Sequence, residues 1–278
     1  MSWKMYSVTF RLLSPLHVGW FKQGNLQRTR PYLSGKALWG ALTARLARMT
    51  NGDYEKIGKQ VNEYLAFSYF YPSTKVGQVS LWPWGEQADE FTWCYLDSYA
   101  STALNYEQNS AEEGSLHETE CISPYTRQGE RVYLVGYIFE KEDCSLQWRK
   151  ACEQIQLGGE RKYGWGRVQP EGEWQKTEAF WPGWEVELKA ERPILISKEE
   201  ANLYAHLCYS DSVASVRGTL EPLVGRETRA VNEHGQHIQF HGLAWAPGSI
   251  CKGELRVQIG EFGILKPVKA LAELRDRR

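Results

Sequence analysis

The chain lacks the features that define many familiar protein classes. Its six cysteines, Cys94, Cys121, Cys144, Cys152, Cys208 and Cys251, show no C-x-x-C spacing and fall in strand-like or helical patterns. That sets aside a structural zinc site and makes reduced, mostly buried thiols the expectation. No run approaches the roughly 18 apolar residues of a membrane span. The opening Met-Ser-Trp-Lys-Met-Tyr-Ser-Val-Thr-Phe has no apolar signal-peptide core, so a cytoplasmic protein with no membrane partner is expected. Net charge is almost absent, since 33 basic and 34 acidic residues leave −1, which argues against a lysine-coated, non-specific nucleic-acid binder. Any nucleic-acid contact must be a local stripe. Both familiar nucleotide fingerprints are missing as well. A Walker loop needs Gly-Lys-Ser/Thr opening a helix, and a dinucleotide loop leaves a strand to enter a helix. Neither fits here, and no small-molecule cofactor is expected.

What is present is a long aromatic chain with one unusual segment. The 278 residues, 42% hydrophobic, can bury a sizeable core, and 12 Trp with 15 Tyr suit either large contact surfaces or an aromatic core. Residues 157–168, Leu-Gly-Gly-Glu-Arg-Lys-Tyr-Gly-Trp-Gly-Arg-Val, place four glycines, three cations and two aromatics within twelve positions. Glycines at Gly158, Gly159, Gly164 and Gly166 allow backbone N–H groups to approach phosphate oxygens. Arg161, Lys162 and Arg167 supply charge, and Tyr163 and Trp165 supply flat faces for unpaired bases. The pattern points to RNA or single-stranded DNA; the plain alternative is a glycine-rich turn between a helix and a strand.

Periodicity supplies the frame. Tyr6, Val8, Phe10 and Leu12 alternate with Ser7, Thr9 and Arg11, as in a half-buried strand over residues 5–13. A long basic loop with Lys22, Arg28 and Arg30 follows, and Ser34 can cap a helix carrying Leu38, Leu42, Leu46 and Met49 on one face, with Arg45 and Arg48 in its last turns. A second helical stretch with Tyr54, Ile57, Val61 and Leu65 extends or doubles it. Residues 71–130 are irregular, with a Trp82-Pro83-Trp84-Gly85 turn, a strand near 91–97 and an acidic solvated loop near 107–118. Residues 131–139 are apolar on both faces, as in a central strand covered on both sides. A helix over 145–156, the Gly-rich loop and a strand over 167–174 complete a β-α-β-β-α-β order. Such a sheet can bind RNA on an open face. After Trp181-Pro182-Gly183-Trp184 a second set reads as strands near 185–190, 216–221, 237–245 and 253–260 with a helix at 198–209. The expected fold class is α+β: a ferredoxin-like, RNA-recognition-motif-like domain with insertions over 1–178, and a second, degenerate β-rich ferredoxin-like domain over 179–278.

Three segments resemble the RAMP superfamily of CRISPR-associated (Cas) proteins, in particular subunits of type III effector complexes. Ser14-Pro15-Leu16-His17-Val18-Gly19 resembles the turn after the first strand, residues 32–42 (Tyr-Leu-Ser-Gly-Lys-Ala-Leu-Trp-Gly-Ala-Leu) resemble the helix-opening segment, and residues 157–168 resemble the Gly-rich loop. Their order and separation match over roughly residues 5–175. Many members have a Pro-Gly-Ser-like run where this chain has Leu33-Ser34-Gly35-Lys36, and residues 180–278 match less clearly. The resemblance implies a crRNA-binding building block that assembles with other Cas subunits in antiviral defence. The residues expected to touch RNA are Gly158, Gly159, Arg161, Lys162, Tyr163, Gly164, Trp165, Gly166 and Arg167, with Lys36, Arg28 and Arg30. Two tandem domains favour a position at the crRNA 5′ end; a backbone position would need a long thumb-like hairpin, which the 71–130 insertion could supply.

Other chemistry is weighed against this. The superfamily also contains metal-independent endoribonucleases that process repeat transcripts with a histidine, and His17 is the candidate acid or base; its plain role is a structural turn contact. His117 reads as solvated. His234, His237 and His241 look metal-like, but on a strand His237 and His241 lie about 13 Å apart, too far for one zinc, so no metal is expected. Asp97, Glu120 and Asp211 could be target-cleaving carboxylates of a backbone subunit, with nothing local to separate them from surface acids. A protein-interaction module using the Trp82-Pro83-Trp84 insertion is the third alternative. No catalytic residue is assigned.

Overall fold

The first strand, β1 (Trp3–Leu12), shows why one sheet can sit between two cores. Val8, Phe10 and Leu12 point to one side and Trp3 and Met5 to the other, and all five are buried. In the computed structural model, residues 2–210, 213, 215–227 and 237–268 are described. The stretch expected as a basic loop is a hairpin, β2 (Gly19–Gln23) and β3 (Leu26–Thr29). Gly24, at φ 59°, and Asn25 form the two-residue turn that such a hairpin favours.

Helix α1 (Gly35–Thr50) starts where Ser34 accepts the Ala37 N–H at 3.4 Å and stops at Asn51, in the left-handed region at φ 49°. Asp53 then caps a separate helix, α2 (Tyr54–Tyr64), accepting the Lys56 N–H at 2.9 Å, so the element is doubled rather than extended. Strands β4 (Leu65–Phe67) and β5 (Tyr71–Ser73) follow. The strand expected near 91–97 is largely a helix, α3 (Ala88–Tyr95), because Phe91 and Tyr95 sit four residues apart and bury their rings together, 5.0 Å between centroids. Four strands follow it: β6 (Leu96–Ser101), β7 (Leu104–Asn105), β8 (Ser110–Ala111) and β9 (His117–Ile122). The central strand is β10 (Tyr133–Lys141). The expected 145–156 helix shortens to α4 (Trp148–Cys152), since Gln156 is drawn into a bridge with Arg167. Pro170 closes β11 (Val168–Pro170) early.

The main sheet runs β11-β1-β10-β4, antiparallel throughout, with β5 also on β10. The sheet has the strand order of a split β-α-β-β-α-β unit, but its second strand is β4 rather than the strand expected near 91–97, which lies outside this sheet as α3 and β6. Leu38, Leu42, Leu46, Val61 and Trp148 from the helices cover one face, against Val8, Phe10 and Ile138. The other face is covered too. Val135, Tyr137 and Phe139 pack with Trp3 and Met5 against Trp181, Trp184, Leu195, Leu203, Leu207 and Val257 from the second half. Tyr71 donates its hydroxyl to the Tyr204 carbonyl at 2.9 Å. An open sheet face for RNA is therefore excluded, because burying apolar side chains there outweighs leaving it to solvent.

The second half holds β12 (Glu185–Glu187), β13 (Ile194–Ser197), β14 (Ala201–Asn202), β15 (Leu207–Cys208), β16 (Val216–Arg217), β17 (Leu220–Glu227), β18 (His237–Trp245), β19 (Ile250–Cys251), β20 (Leu255–Ile259) and β21 (Leu265–Pro267). They form a seven-stranded sheet, β12-β13-β20-β21-β15-β18-β17, and a three-stranded one, β14-β19-β16. The helix expected at 198–209 is replaced by β14, a turn and β15. Residues 203–207 are all buried, a run no single helix face can hide. The half is β-rich as expected, and so degenerate that no α-helix occurs among its described residues. Trp82 and Trp84 stack 5.2 Å apart and pack on Tyr71, Trp181 and Tyr204. Trp82 and Trp84, weighed in the third alternative as part of an interaction surface, are half-buried in this aromatic joint with the second half. No helix among the described residues is long and apolar enough to cross a membrane.

Candidate nucleic-acid interface

The Gly-rich loop is built against the turn that follows β1, so two of the segments read separately in the sequence form one unit. Gly159 donates its N–H to the His17 carbonyl at 2.8 Å, and Gly166 donates to Pro15 O at 2.7 Å. Arg167 N–H reaches Ser14 Oγ at 2.9 Å. Two glycines are sterically required. A Cβ on Gly158 would lie 2.2 Å from His17 O, and one on Gly166 would lie 1.8 Å from Leu157 O; both residues have positive φ, 70° and 76°. Gln156 braces the loop from beneath, its amide donating to Arg161 O at 3.0 Å and Trp165 O at 2.7 Å. The role expected for the glycine N–H groups is corrected accordingly. Those of Gly159, Gly164 and Gly166 are taken by the His17, Arg161 and Pro15 carbonyls, so these glycines shape the loop rather than cradle phosphate.

What the loop presents outward is charge and one ring. Arg161, Lys162 and Tyr163 form a single 3-10 turn, all exposed, with Tyr163 at 78%, and Arg167 is exposed beside them. No carboxylate lies within salt-bridge distance of these three cations among the described residues. Arg161 lies near Tyr54 of α2, whose phenol is raised by burial and partly relieved by that guanidinium. Trp165 is half-buried with its ring at 5.4 Å, edge-on, to Tyr99 of β6. Tyr163 is therefore the ring free to stack, and Trp165 fixes the loop to the neighbouring sheet. Tyr99 and Gln156 carry no local signal in the sequence, because their roles depend on residues brought to them only by the fold.

The other expected RNA contacts lie elsewhere. Arg28 pairs through Nε with Glu120 Oε2 at 3.2 Å. Arg30 donates to Glu221 Oε1 at 2.8 Å and to the Tyr32 hydroxyl at 2.9 Å, and stands 5.6 Å from the Trp20 ring. It is a strut between the β2-β3 hairpin and β17, its charge already neutralised. Tyr69 and His206 complete that cluster. Because a carboxylate only accepts, His206 donates from Nε2 to Glu221, and Nδ1 accepts from the Tyr69 hydroxyl at 2.7 Å. Burial, with Arg30 alongside, pushes His206 below its ordinary range despite the carboxylate. Burial alone would raise Glu221, but the hydrogen bonds from His206 and Arg30 outweigh it and hold the carboxyl at about 2. Lys36, on the first turn of α1, is 3.2 Å from His241 Nε2 and 5.2 Å from the Phe262 ring, facing the second half.

His17 is buried, with Nδ1 2.7 Å from the Glu120 carbonyl, which makes it a donor there, and its own carbonyl is taken by Gly159. It makes the structural turn contact. Glu120 is buried and accepts the Thr29 N–H at 2.9 Å, while Asp97 is exposed on β6. Asp211 and His234 lie outside the described residues. His237 and His241 lie on β18, a strand as expected. Burial pushes the Cys121 thiol up to about 12, so it stays protonated.

No protein-family model and no curated protein matches the chain. Among solved structures it is similar to a chain of the type III-B Cmr-beta complex bound to cognate target RNA and AMPPnP, determined by cryo-electron microscopy. The TM-score is 0.54, with 12% identity over 88% of this chain and 86% of that one. Chains of Cmr-beta in the apo state and bound to cognate target RNA align at TM-score 0.40, with 10% and 12% identity, over 61% of this chain and 96% of theirs. At 0.54 the likeness is one of fold, and it extends across both halves of the chain.

Proposed function

We propose that the chain is a non-catalytic crRNA-binding subunit of a type III CRISPR-Cas interference complex, holding the RNA near its 5′ end beside other Cas subunits. One observation carries this reading. The glycines pin the loop to residues 13–17, and the pinned frame turns Arg161, Lys162, Arg167 and Tyr163 outward together, with no carboxylate in salt-bridge reach of the three cations among the described residues. Exposed cations on a rigid frame neutralise phosphates at little ordering cost, and Tyr163 can stack an unpaired base. The fold likeness to a chain from an RNA-bound Cmr-beta complex supports it. Arg28 and Arg30 are paired with Glu120 and Glu221, and Lys36 faces His241 and Phe262, so the reading rests on the loop rather than on them, while His17, held by Glu120 and Gly159, fits its structural role.

The test is native purification of the tagged chain from its host, with identification of partners and sequencing of bound RNA ends. Short RNAs sharing one 5′ end, recovered with Cas-like proteins and depleted in the Arg161→Ala/Arg167→Ala variant, are the expected result. A free chain without RNA, or undiminished RNA loading in the double variant, overturns the assignment.

A further inference from the structure

The β17-β18 hairpin is inside out. Among the side chains described, the exposed ones are Leu220, Pro222 and Val224 along β17 and Ile238, Phe240 and Leu243 along β18. Every one is apolar. The intervening positions, turned toward the molecule, include Glu221, Gln239 and His241. Register makes the six a single face, because Pro222 pairs with Leu243 and Val224 with Phe240, across an irregularity between Pro222 and Val224 at which Gly242 takes φ 99°. A sheet with one solvated face normally reads the other way, apolar in and polar out.

The orientation is locked. Glu221 is held by Arg30 and His206, and Lys36 lies against Gly225 and His241, where a Cβ on Gly225 would come 2.2 Å from Lys36 Nζ. Turning the hairpin over would strand the buried Arg30 charge without its carboxylate and break the Lys36 packing as well. The exposed face is thus a fixed property of the folded chain.

We infer that this face is a docking surface for a different protein chain that lays an uncharged, apolar strand or helix face upon it. None of these six side chains carries charge, in contrast to the cations of the Gly-rich loop. Strand addition at the free edge of β17 is disfavoured, because Pro222 lacks the N–H an added strand would need. The six residues expose on the order of 500 Å², the upper range of what a lone protein leaves uncovered, so covering them is favourable. A symmetric contact with a second copy through this face alone would bury about 1,000 Å² in total, below the roughly 1,200–2,000 Å² of a stable interface. A different chain can reach beyond the face to adjoining surface. There Trp20, donating Nε1–H to Glu221, and Phe21 add exposed rings. The inference goes beyond the RNA reading and stands without it.

A photo-crosslinking residue, p-benzoylphenylalanine, is placed at position 240 in the full chain, and separately at position 163. Each variant is expressed in the host, irradiated in the natively purified assembly and analysed by peptide mass spectrometry and RNA labelling. The expected result is a crosslink from position 240 to an apolar, uncharged peptide of a different protein. Val224→Lys with Phe240→Lys, checked for an unchanged melting temperature, should lower recovery of that protein about tenfold without changing RNA content. A crosslink from position 240 to RNA or to a second copy of this chain overturns the inference, as does no crosslink while position 163 labels RNA. If position 163 labels no RNA and position 240 still captures the apolar peptide, the RNA reading fails and the docking face stands.

Discussion

The Gly-rich loop and the Arg30 cluster look alike in sequence and differ in what surrounds their cations. Arg161 and Arg167 stand exposed on a loop whose backbone is pinned by its own glycines. Arg30 is largely enclosed, with Glu221, Tyr32 and the Trp20 ring around its guanidinium. Arg192 is a second enclosed case, donating to Ile259 O at 2.7 Å and Asn62 O at 2.6 Å to tie α2 to β20. Burial among acceptors makes an arginine part of the fold, and exposure without a counter-charge leaves it for a ligand. A basic residue in a sequence carries neither label.

The largest effect is expected where the enclosed cluster is broken. Glu221→Ala leaves the Arg30 charge without its partner, and loss of about 3–5 kcal/mol is expected in urea unfolding. An unchanged midpoint would mean that solvent reaches Arg30 and that the two regions share one character. Acid should weaken the same cluster. Folded His206 resists protonation, so below about pH 6.5 the unfolded chain takes up a proton that the folded chain refuses. Glu221 has its ordinary value of 4.5 unfolded and about 2 folded, so its contribution, complete above 4.5, is lost as pH falls toward 2. Stability should fall on acidification through both windows. In His206→Asn the slope between about pH 7 and 5 should flatten while the lower one remains, read from urea midpoints across pH.

Legibility divides along the same line. The main sheet is readable because Tyr6, Val8, Phe10 and Leu12 alternate and residues 131–139 are apolar on both faces, and the Ser34 cap marks α1 to the residue. These signals are local. The 198–209 segment reads as a helix but folds as strands and a turn, because its burial is set by Tyr69 and Tyr71, more than a hundred residues earlier in the chain. Within the site, the cations and glycines of residues 157–168 are visible. That the glycines are consumed against Pro15 and His17, and that Arg28 and Arg30 are neutralised by Glu120 and Glu221, depends on pairings no short motif encodes.

Within the loop, two kinds of substitution sharpen the distinction between holding the frame and presenting charge. Gly166→Ala would place a Cβ 1.8 Å from Leu157 O, so the frame itself must shift, and a loss of several kcal/mol is expected together with reduced RNA retention, although every cation remains. Arg161→Ala/Arg167→Ala should do the reverse. The melting temperature should stay unchanged, while the slope of log affinity against log salt drops by about 2 in magnitude, one for each phosphate left without its arginine. A double variant that melts early would place these arginines with Arg30 rather than opposite it.

The smallest effect is expected at Gly164. Its φ of 84° is unfavourable to any side chain, yet nothing lies within 4 Å of where a Cβ would stand. Gly164→Ala therefore carries only the backbone strain, about 1 kcal/mol, with RNA retention close to that of the parent chain. If this substitution abolished RNA binding while the melting temperature fell only slightly, the space beside Gly164 would have to be occupied by the RNA itself. The glycine would then belong with Arg161, Lys162, Tyr163 and Arg167 as part of the binding surface, and the separation between frame and surface would run through the middle of the loop instead of between the loop and its anchor.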